Sequence, residues 1–298
     1  MQALTSYGLA DVELRRVAES FNTVYRVTSG SSIYCLRVGP MQRVHRVGAA
    51  VAEANWTRQL AQAGLHVPRV IKALDGSPSV TVSVDGVPAE RECVLLNWTP
   101  GRPVRRPASV RDVIELAVLS SQLHDAGPNR DTLPDGVLDA RSALLFAIPN
   151  RLDELQDRFG SLFDDALGAA QAAINDLWHR AKRLPQFLHG DLTFNNVVRC
   201  ADGMSAIDFQ DMMWGLEEQD LANTLFGLRR DDPDGTLAEE FRQAYTSNRP
   251  WPELDDALFK QLQIARRLQM VNLALTIRRT GIANFLNGHA AELRKEMK

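Results

Sequence analysis

The side chains best placed to do chemistry in this 298-residue chain lie between positions 189 and 211. His189-Gly190-Asp191 is followed, five residues after the aspartate, by Asn196, and Asp208 sits within Ile207-Asp208-Phe209. Phosphoryl transfer needs these groups: a carboxylate facing the acceptor hydroxyl, and hard oxygen donors holding Mg²⁺ against nucleotide phosphates. Asp191 is therefore the expected general base, Asn196 and Asp208 the expected metal ligands, and ATP the expected donor, with GTP left open. His189 is expected to brace the loop by hydrogen bonding. On an extended backbone the neighbouring Asn195 faces the opposite way.

A loop, a hairpin and a second loop would bring these groups into one cleft. Residues 184–188 form an apolar run leading in, 197–200 read as a strand leaving, and 204–209 read as the return strand after Ala-Asp-Gly. Upstream, 21–37 read as a hairpin around Ser29-Gly30-Ser31-Ser32. Residues 44–63 read as a helix closed by Gly64, and 67–71, 79–84 and 92–98 as further strands. Turn formers concentrate in 97–103. The expected organisation is thus a nucleotide-binding lobe over 1–96, a hinge over 97–103, and a helical catalytic and substrate lobe over 104–298. In the last of these, Ser109 caps a helix to His124, 163–182 has helical spacing, and further helices start near Asp220, Leu237 and Asp255. The fold class is α+β: a small antiparallel sheet with one helix, joined to a larger, mainly helical lobe.

The set His189-Gly190-Asp191, Asn196 and Asp208-Phe209 is similar to the active site of the aminoglycoside phosphotransferase and choline kinase superfamily, small-molecule kinases with a protein-kinase-like fold. Asp208-Phe209-Gln210-Asp211, Gly215 and Asp220-Leu221-Ala222 look nearest to homoserine-kinase-like and stress-response-kinase-like members. The resemblance implies a two-lobed structure. It implies that Arg37, in Tyr34-Cys35-Leu36-Arg37-Val38, stands where the family carries a strand lysine contacting the α- and β-phosphates. Arginine keeps the charge and adds a bidentate fork, although the two side chains are not equivalent. Glu53 would be its helical partner. Ser20, Asn22 and Thr23 correspond to the phosphate-covering turn, here without the glycines that let backbone amides approach phosphate. Backbone groups near Leu96 and Trp98 would contact the adenine. Gly190 replaces the arginine with which regulated protein kinases read activation-loop phosphate, which argues against such control. Asp220 is implied to brace the catalytic loop.

Acceptor-pocket candidates are Asp211, Trp214, Glu217 and Glu218, whose charge suits an amine-bearing alcohol. The competing reading of Glu217-Glu218-Gln219-Asp220 is a solvated acidic helix start. The expected acceptor is a hydroxyl of a small molecule, whether antibiotic, amino alcohol or sugar-like. A serine/threonine protein kinase and a non-catalytic nucleotide-binding protein are the alternatives. The short stretch between Phe209 and Asp220 leaves little room for a peptide platform, and the intact base and metal ligands oppose the second alternative.

A net charge of −3 gives no reason to expect nucleic acid as partner. No apolar run reaches membrane-spanning length and the first residues lack a basic, then hydrophobic, leader, so a cytoplasmic protein without a membrane partner is expected. Arg266-Arg267 and Arg278-Arg279, interleaved with Leu268, Met270, Val271, Leu273 and Leu275, read as the polar side of an amphipathic helix. Cys35, Cys93 and Cys200 read as reduced core residues.

Overall fold

A computed structural model describes residues 2–298 apart from 84, 88, 233 and 279. After a short helix α1 (Gln2–Ser6) and an exposed, largely charged strand β1 (Val12–Glu19), β-branched and aromatic residues build β2 (Thr23–Ser29) and β3 (Ser32–Val38). Helix α2 (Ala49–Gln62) follows, then β4 (Val70–Ile71), β5 (Val80–Val82) and β6 (Arg91–Asn97). The strands pair antiparallel in the order β1-β2-β3-β6-β4, with β5 also on β6. Successive side chains on a strand alternate between the two faces. Leu36, Cys93 and Leu95 therefore pack with Leu4 and Tyr7 on the α1 side, while Cys35, Val94 and Leu96 pack with Ala50 of α2. Arg37, two residues on from Cys35, shares the α2 face.

The expectation of a helix over 44–63 is corrected at its start. Gly48, with φ 89°, caps α2, and the preceding residues are loop. Val44 is buried for a different reason: it packs with Leu138, Leu145 and Phe146, and its carbonyl accepts from the Ala147 N–H at 2.9 Å. Its apolarity serves a tertiary contact rather than helical periodicity. Of the strands expected over 67–71 and 79–84, only Val70–Ile71 and Val80–Val82 form, and Val84 lies outside the described residues. α1 and β1 were not anticipated.

Beyond β6, β7 (Arg102–Pro103) leads to α3 (Val110–Ala126). Ser109 and Asp112 make a reciprocal capping box there, with the Ser109 N–H donating to Asp112 Oδ2 at 2.8 Å and the Asp112 N–H to Ser109 Oγ at 3.2 Å. Then come β8 (Leu138–Asp139), α4 (Gln156–Phe159), α5 (Leu162–Arg180), β9 (Gln186–Leu188), β10 (Val197–Cys200), β11 (Gly203–Ala206) and β12 (Met213–Gly215). The chain ends with α6 (Glu217–Leu228), α7 (Thr236–Thr246), α8 (Asp256–Thr276) and α9 (Ile282–Glu296). β11-β10-β7 and β8-β12-β9 form two small sheets that frame the catalytic loops.

The two halves meet through α2. Trp56, fully buried, sets its indole edge-on to Phe187 (5.9 Å) and Phe209 (5.2 Å), both from the catalytic region. Glu53 lies three residues before Trp56, on the same helix face, so this anchor also fixes where its carboxylate points. A second core joins α5, α8 and α9. No helix among the described residues is long and apolar enough to cross a membrane.

Candidate active site

β9 delivers the chain into His189-Gly190-Asp191, and the bend there demands glycine. Gly190 has φ 81°, and a Cβ on it would lie 2.2 Å from the Asp211 carbonyl oxygen. Both of its backbone groups are held from α6: the N–H donates to Asp220 Oδ1 at 2.8 Å, and the carbonyl accepts from Asn223 Nδ2 at 2.9 Å. Asp220 also contacts His124 Nε2 at 3.0 Å, and His124 Nδ1 meets the Tyr245 hydroxyl at 2.8 Å. Asp220 is thus buried and braces the loop. His189 does so from the other side. Its Nδ1 accepts from the Asp191 N–H at 3.3 Å, which leaves Nε2–H to donate to the Ile207 carbonyl at 3.1 Å, and burial lowers its pKa toward this neutral tautomer.

Asn196 ties the two catalytic segments together. Its Nδ2 donates to Asp191 Oδ2 at 2.7 Å and to the Asp191 carbonyl at 2.9 Å, while its own carbonyl accepts from the Ile207 N–H at 2.9 Å, one residue before Asp208. Residues 194–196 form a single 3-10 turn rather than extended chain, and that turn leaves Asn195 exposed. Asp208, at φ 63°, accepts from Arg37 Nη1 at 3.1 Å. Arg37 and Glu53 form a two-pronged pair, Nη1 to Oε1 at 2.9 Å and Nη2 to Oε2. Burial opposes the Arg37 charge, but Glu53 and Asp208 outweigh it and hold the guanidinium protonated.

Asp211, on the turn after Asp208, binds His45 Nε2 at 2.7 Å and so fastens the loop before α2 to the helical half. The His45 ring lies between the edges of Phe21 and Phe146, at 6.1 and 6.0 Å. Burial would raise the Asp211 pKa, yet its bond to His45 wins and lowers it. Burial does dominate at the other two aspartates. Asp191 and Asp208 are both pushed up to about 6, against the pull of a neighbouring arginine in each case.

The arginine beside Asp191 is Arg266, whose Nη2 donates to Asp191 Oδ1 at 2.5 Å. This overturns the expectation of a polar, solvent-facing side for Arg266-Arg267: the two are 7% and 5% exposed. α8 packs against α5, α6 and α9, so Arg266 and Arg267 are interior and must find partners. Arg267 finds Glu296, with Nε to Oε2 at 2.9 Å and Nη2 to Oε1 at 2.7 Å. One sequence signal was available: Asp256 is the lone acidic residue within α8, so two adjacent arginines had to be balanced from elsewhere. Arg278 is exposed past the helix end, and Arg279 lies outside the described residues.

The remaining candidates separate into those that reach the cleft and those that do not. Asn22 is buried and lines a cavity of about 360 Å³ with Arg37, Glu53, Glu92 and Gln210. Ser20 is exposed, and Thr23 opens β2, paired to Glu19 and Val38. The Leu96 side chain packs on α2, and the Trp98 N–H donates to the Ile33 carbonyl at 3.2 Å. That amide is spent within the sheet and cannot serve a base.

Three acceptor-pocket candidates are corrected. Trp214 is core: its indole N–H donates to the Arg130 carbonyl at 3.0 Å, and its ring lies 5.0 Å from that of Trp178. Glu217 is the hub of a buried ion cluster, accepting from Arg249 Nε (2.8 Å) and Nη2 (2.7 Å), Arg183 Nη1 (3.0 Å) and the Tyr245 hydroxyl (3.2 Å). Against the effect of burial, Arg249 brings its pKa down to about 2. Glu218 lines a separate cavity with Lys182, Arg183 and Trp251. Of that set only Asp211 stands beside Asp191.

With this geometry in view, the profile of the phosphotransferase enzyme family matches residues 13–256. No curated protein matches the chain. Among solved structures it is similar to a microcompartment-associated aminopropanol kinase, at 22% identity and TM-score 0.71 over 99% of this chain and 93% of that one. It is also similar to an amicoumacin kinase solved with AMP-PNP and Ca²⁺ (18% identity, TM-score 0.66, 95% of this chain and 88% of that one). A third is an aminoglycoside phosphotransferase from Alicyclobacillus acidocaldarius (17%, TM-score 0.59, 99% and 95%). These likenesses establish the two-lobed, kinase-like α+β fold.

Proposed function

This chain belongs to the phosphotransferase enzyme family, and from that premise we propose that it transfers the γ-phosphoryl group of ATP, bound with Mg²⁺, to a hydroxyl of a small molecule. The observation that carries the reading is the convergence of Asp191, Asn196 and Asp208 on one cleft, with Arg37 and Glu53 at its nucleotide side. The acceptor oxygen bonds to the γ-phosphorus as the bridge to the β-phosphate breaks. Its proton passes to Asp191, and the electron pair leaves with the nucleoside diphosphate. A carboxylate raised to about 6 is still ionised at neutral pH but is a stronger base than a surface aspartate.

The residues present fit the metal. Asn196 turns its Nδ2 to Asp191, and among the described residues its Oδ1 has no hydrogen bond, while Asp208 has one oxygen on Arg37 and the other without a partner. Two hard oxygens are what a Mg²⁺ shared with nucleotide phosphates requires. Among the described residues no cluster of three or more histidine, cysteine or acidic side chains offers an all-protein cage. When bound, the metal supplies the charge that neutralises the transferring phosphates. Arg37 holds Asp208 and keeps unused guanidinium donors for phosphate oxygens.

A small acceptor is supported by the turn after Asp208. Residues 212–216 are buried, β12 is paired on both edges, and α6 starts at Glu217, so no open segment is there to seat a peptide. The aminopropanol, amicoumacin and aminoglycoside kinases of like fold support the same reading. Residues 97–103 are the proposed hinge, with β7 paired to β10 of the catalytic hairpin. The test is acceptor- and Mg²⁺-dependent nucleotide consumption across amino alcohols, hydroxy acids, sugars and antibiotics, run with ATP and with GTP. Turnover should disappear in Asp191→Ala while nucleotide binding remains. Full activity in that variant would overturn the mechanism.

A further inference from the structure

We propose that Arg43, on the loop between β3 and α2, grips the terminal phosphate of the nucleotide and is a further catalytic residue of the transfer. The inference deepens the phosphotransferase reading and rests on it. Arg37 and Arg43 both line the cavity of about 360 Å³ beside α2. The charge of Arg37 is already answered: Glu53 holds it with both oxygens, and Asp208 accepts from it as well. One guanidinium between two carboxylates leaves that cluster net negative. Its spare N–H groups can still donate to a phosphate, but they bring no surplus charge. A nucleoside triphosphate with one Mg²⁺ is itself anionic, and the transferring group is stabilised by cations placed around it. The turn at Ser20, Asn22 and Thr23 carries no charge to offer. Arg43 is the lining arginine left for that task.

Arg43 suits it by its free charge and by its place. Among the described residues it has no carboxylate partner. Glu90 and Glu92 line the same cavity, yet each accepts from a serine instead: Glu92 from Ser79 Oγ at 2.9 Å and Glu90 from Ser83 Oγ at 3.3 Å. Both acids repel phosphate, so the field across the cavity favours the anion near Arg43. The loop that carries Arg43 is tied at both ends. The Gly39 N–H donates to the Glu92 carbonyl at 2.8 Å, the Val44 carbonyl accepts from the Ala147 N–H at 2.9 Å, and His45 Nε2 meets Asp211 Oδ1 at 2.7 Å. It therefore runs from β6 to the helical half and ends against the turn that follows Asp208. Gln210 of that turn lines the cavity too. Arg43, two residues before His45, thus stands where the metal of Asp208 and the γ-phosphate must lie for the phosphorus to face Asp191. Its planar fork matches two oxygens of a terminal phosphate. Arg43 takes no proton and forms no covalent bond; it holds the equatorial oxygens while the acceptor oxygen replaces the bridge to the β-phosphate.

The test is equilibrium titration of the full chain with AMP-PNP and with ADP, each in the presence of Mg²⁺. Arg43→Met should weaken AMP-PNP about tenfold or more and ADP less than about threefold, as loss of a charge-assisted contact to the terminal phosphate alone requires. Arg43→Lys, which keeps the charge without the fork, should fall between the parent chain and the methionine variant. Arg46→Met removes a charge from the same loop beside Asp139 and should leave both affinities unchanged. Thermal unfolding reports whether each variant is folded; if the methionine variant is not, the lysine variant decides. Unchanged AMP-PNP affinity in Arg43→Met overturns the proposal. So does an equal loss for AMP-PNP and ADP, which would move the contact to the inner phosphates, and so does an equal effect of Arg46→Met, which would reduce it to the general charge of the loop. Because binding is read without turnover, a failure of the phosphotransferase reading would show separately, as binding that depends on the γ-phosphate with no transfer to any acceptor.

Discussion

Two aspartate–arginine pairs face each other across the cleft, and they are built differently. Asp208 meets Arg37, which Glu53 grips with both carboxylate oxygens from the anchored helix α2. Asp191 meets Arg266, which has no second hydrogen-bonded carboxylate among the described residues. Burial raises both aspartates to about 6. The arginines differ in what remains if the aspartate turns away: Arg37 keeps a full ion pair, whereas Arg266 keeps a long contact to a neutral amide. The first pair is the more firmly held, with Arg37 fixed from two sides. The second hangs on a single charge-assisted hydrogen bond.

The largest effect that would sharpen this contrast is chemical. Asp191→Asn should lower kcat by about 10²–10⁴-fold, the usual contribution of a general base, with nucleotide affinity kept; steady-state kinetics beside a nucleotide titration checks both. Next comes stability. Glu53→Ala leaves Arg37 with Asp208 alone and should cost about 3–5 kcal/mol in denaturant unfolding, as for a broken buried pair. Arg266→Met should cost clearly less, because Asp191 is 27% exposed and readily protonated. Equal losses in the two variants would break the comparison.

The pH dependence is a smaller effect with a definite sign. kcat/KM should fall as pH drops through about 6, where Asp191 and Asp208 take up protons. Arg266→Met should move that limb to higher pH, since the guanidinium holds the Asp191 pKa down. Both carboxyls titrate above their ordinary 3.8, so the native state binds protons more tightly than the unfolded chain. Their contribution to stability therefore declines as pH rises from about 4 to 6. Glu217, lowered to about 2, contributes oppositely: its stabilisation is present above its ordinary 4.5 and is lost as pH falls through 2. Smallest is Asn223→Ala, which removes one hydrogen bond to the Gly190 carbonyl and should cost about 1 kcal/mol.

The grouping of Asp191, Asn196 and Asp208 was legible because a tight loop and one short hairpin carry all three, and local spacing decides where they meet. The small sheet with its helix and the larger helical lobe were legible from period and turn residues. Arg266 was not, because a helix packed on most sides has no solvent face for its charges, and the pattern of alternation misassigns them. Val44 was placed in a helix because apolar spacing does not distinguish a helix face from a loop packed on another lobe. Glu217 looked like a solvated helix start, since its partners Arg183 and Arg249 lie 34 and 32 residues away. Such pairings depend on topology, which a reading along the chain does not contain.

Trp56, edge-on to both Phe187 and Phe209, keys the helix that carries Glu53 into the aromatic packing beneath the Asp208 turn, so shaving that one indole should loosen the ion pairs of Arg37 from a distance.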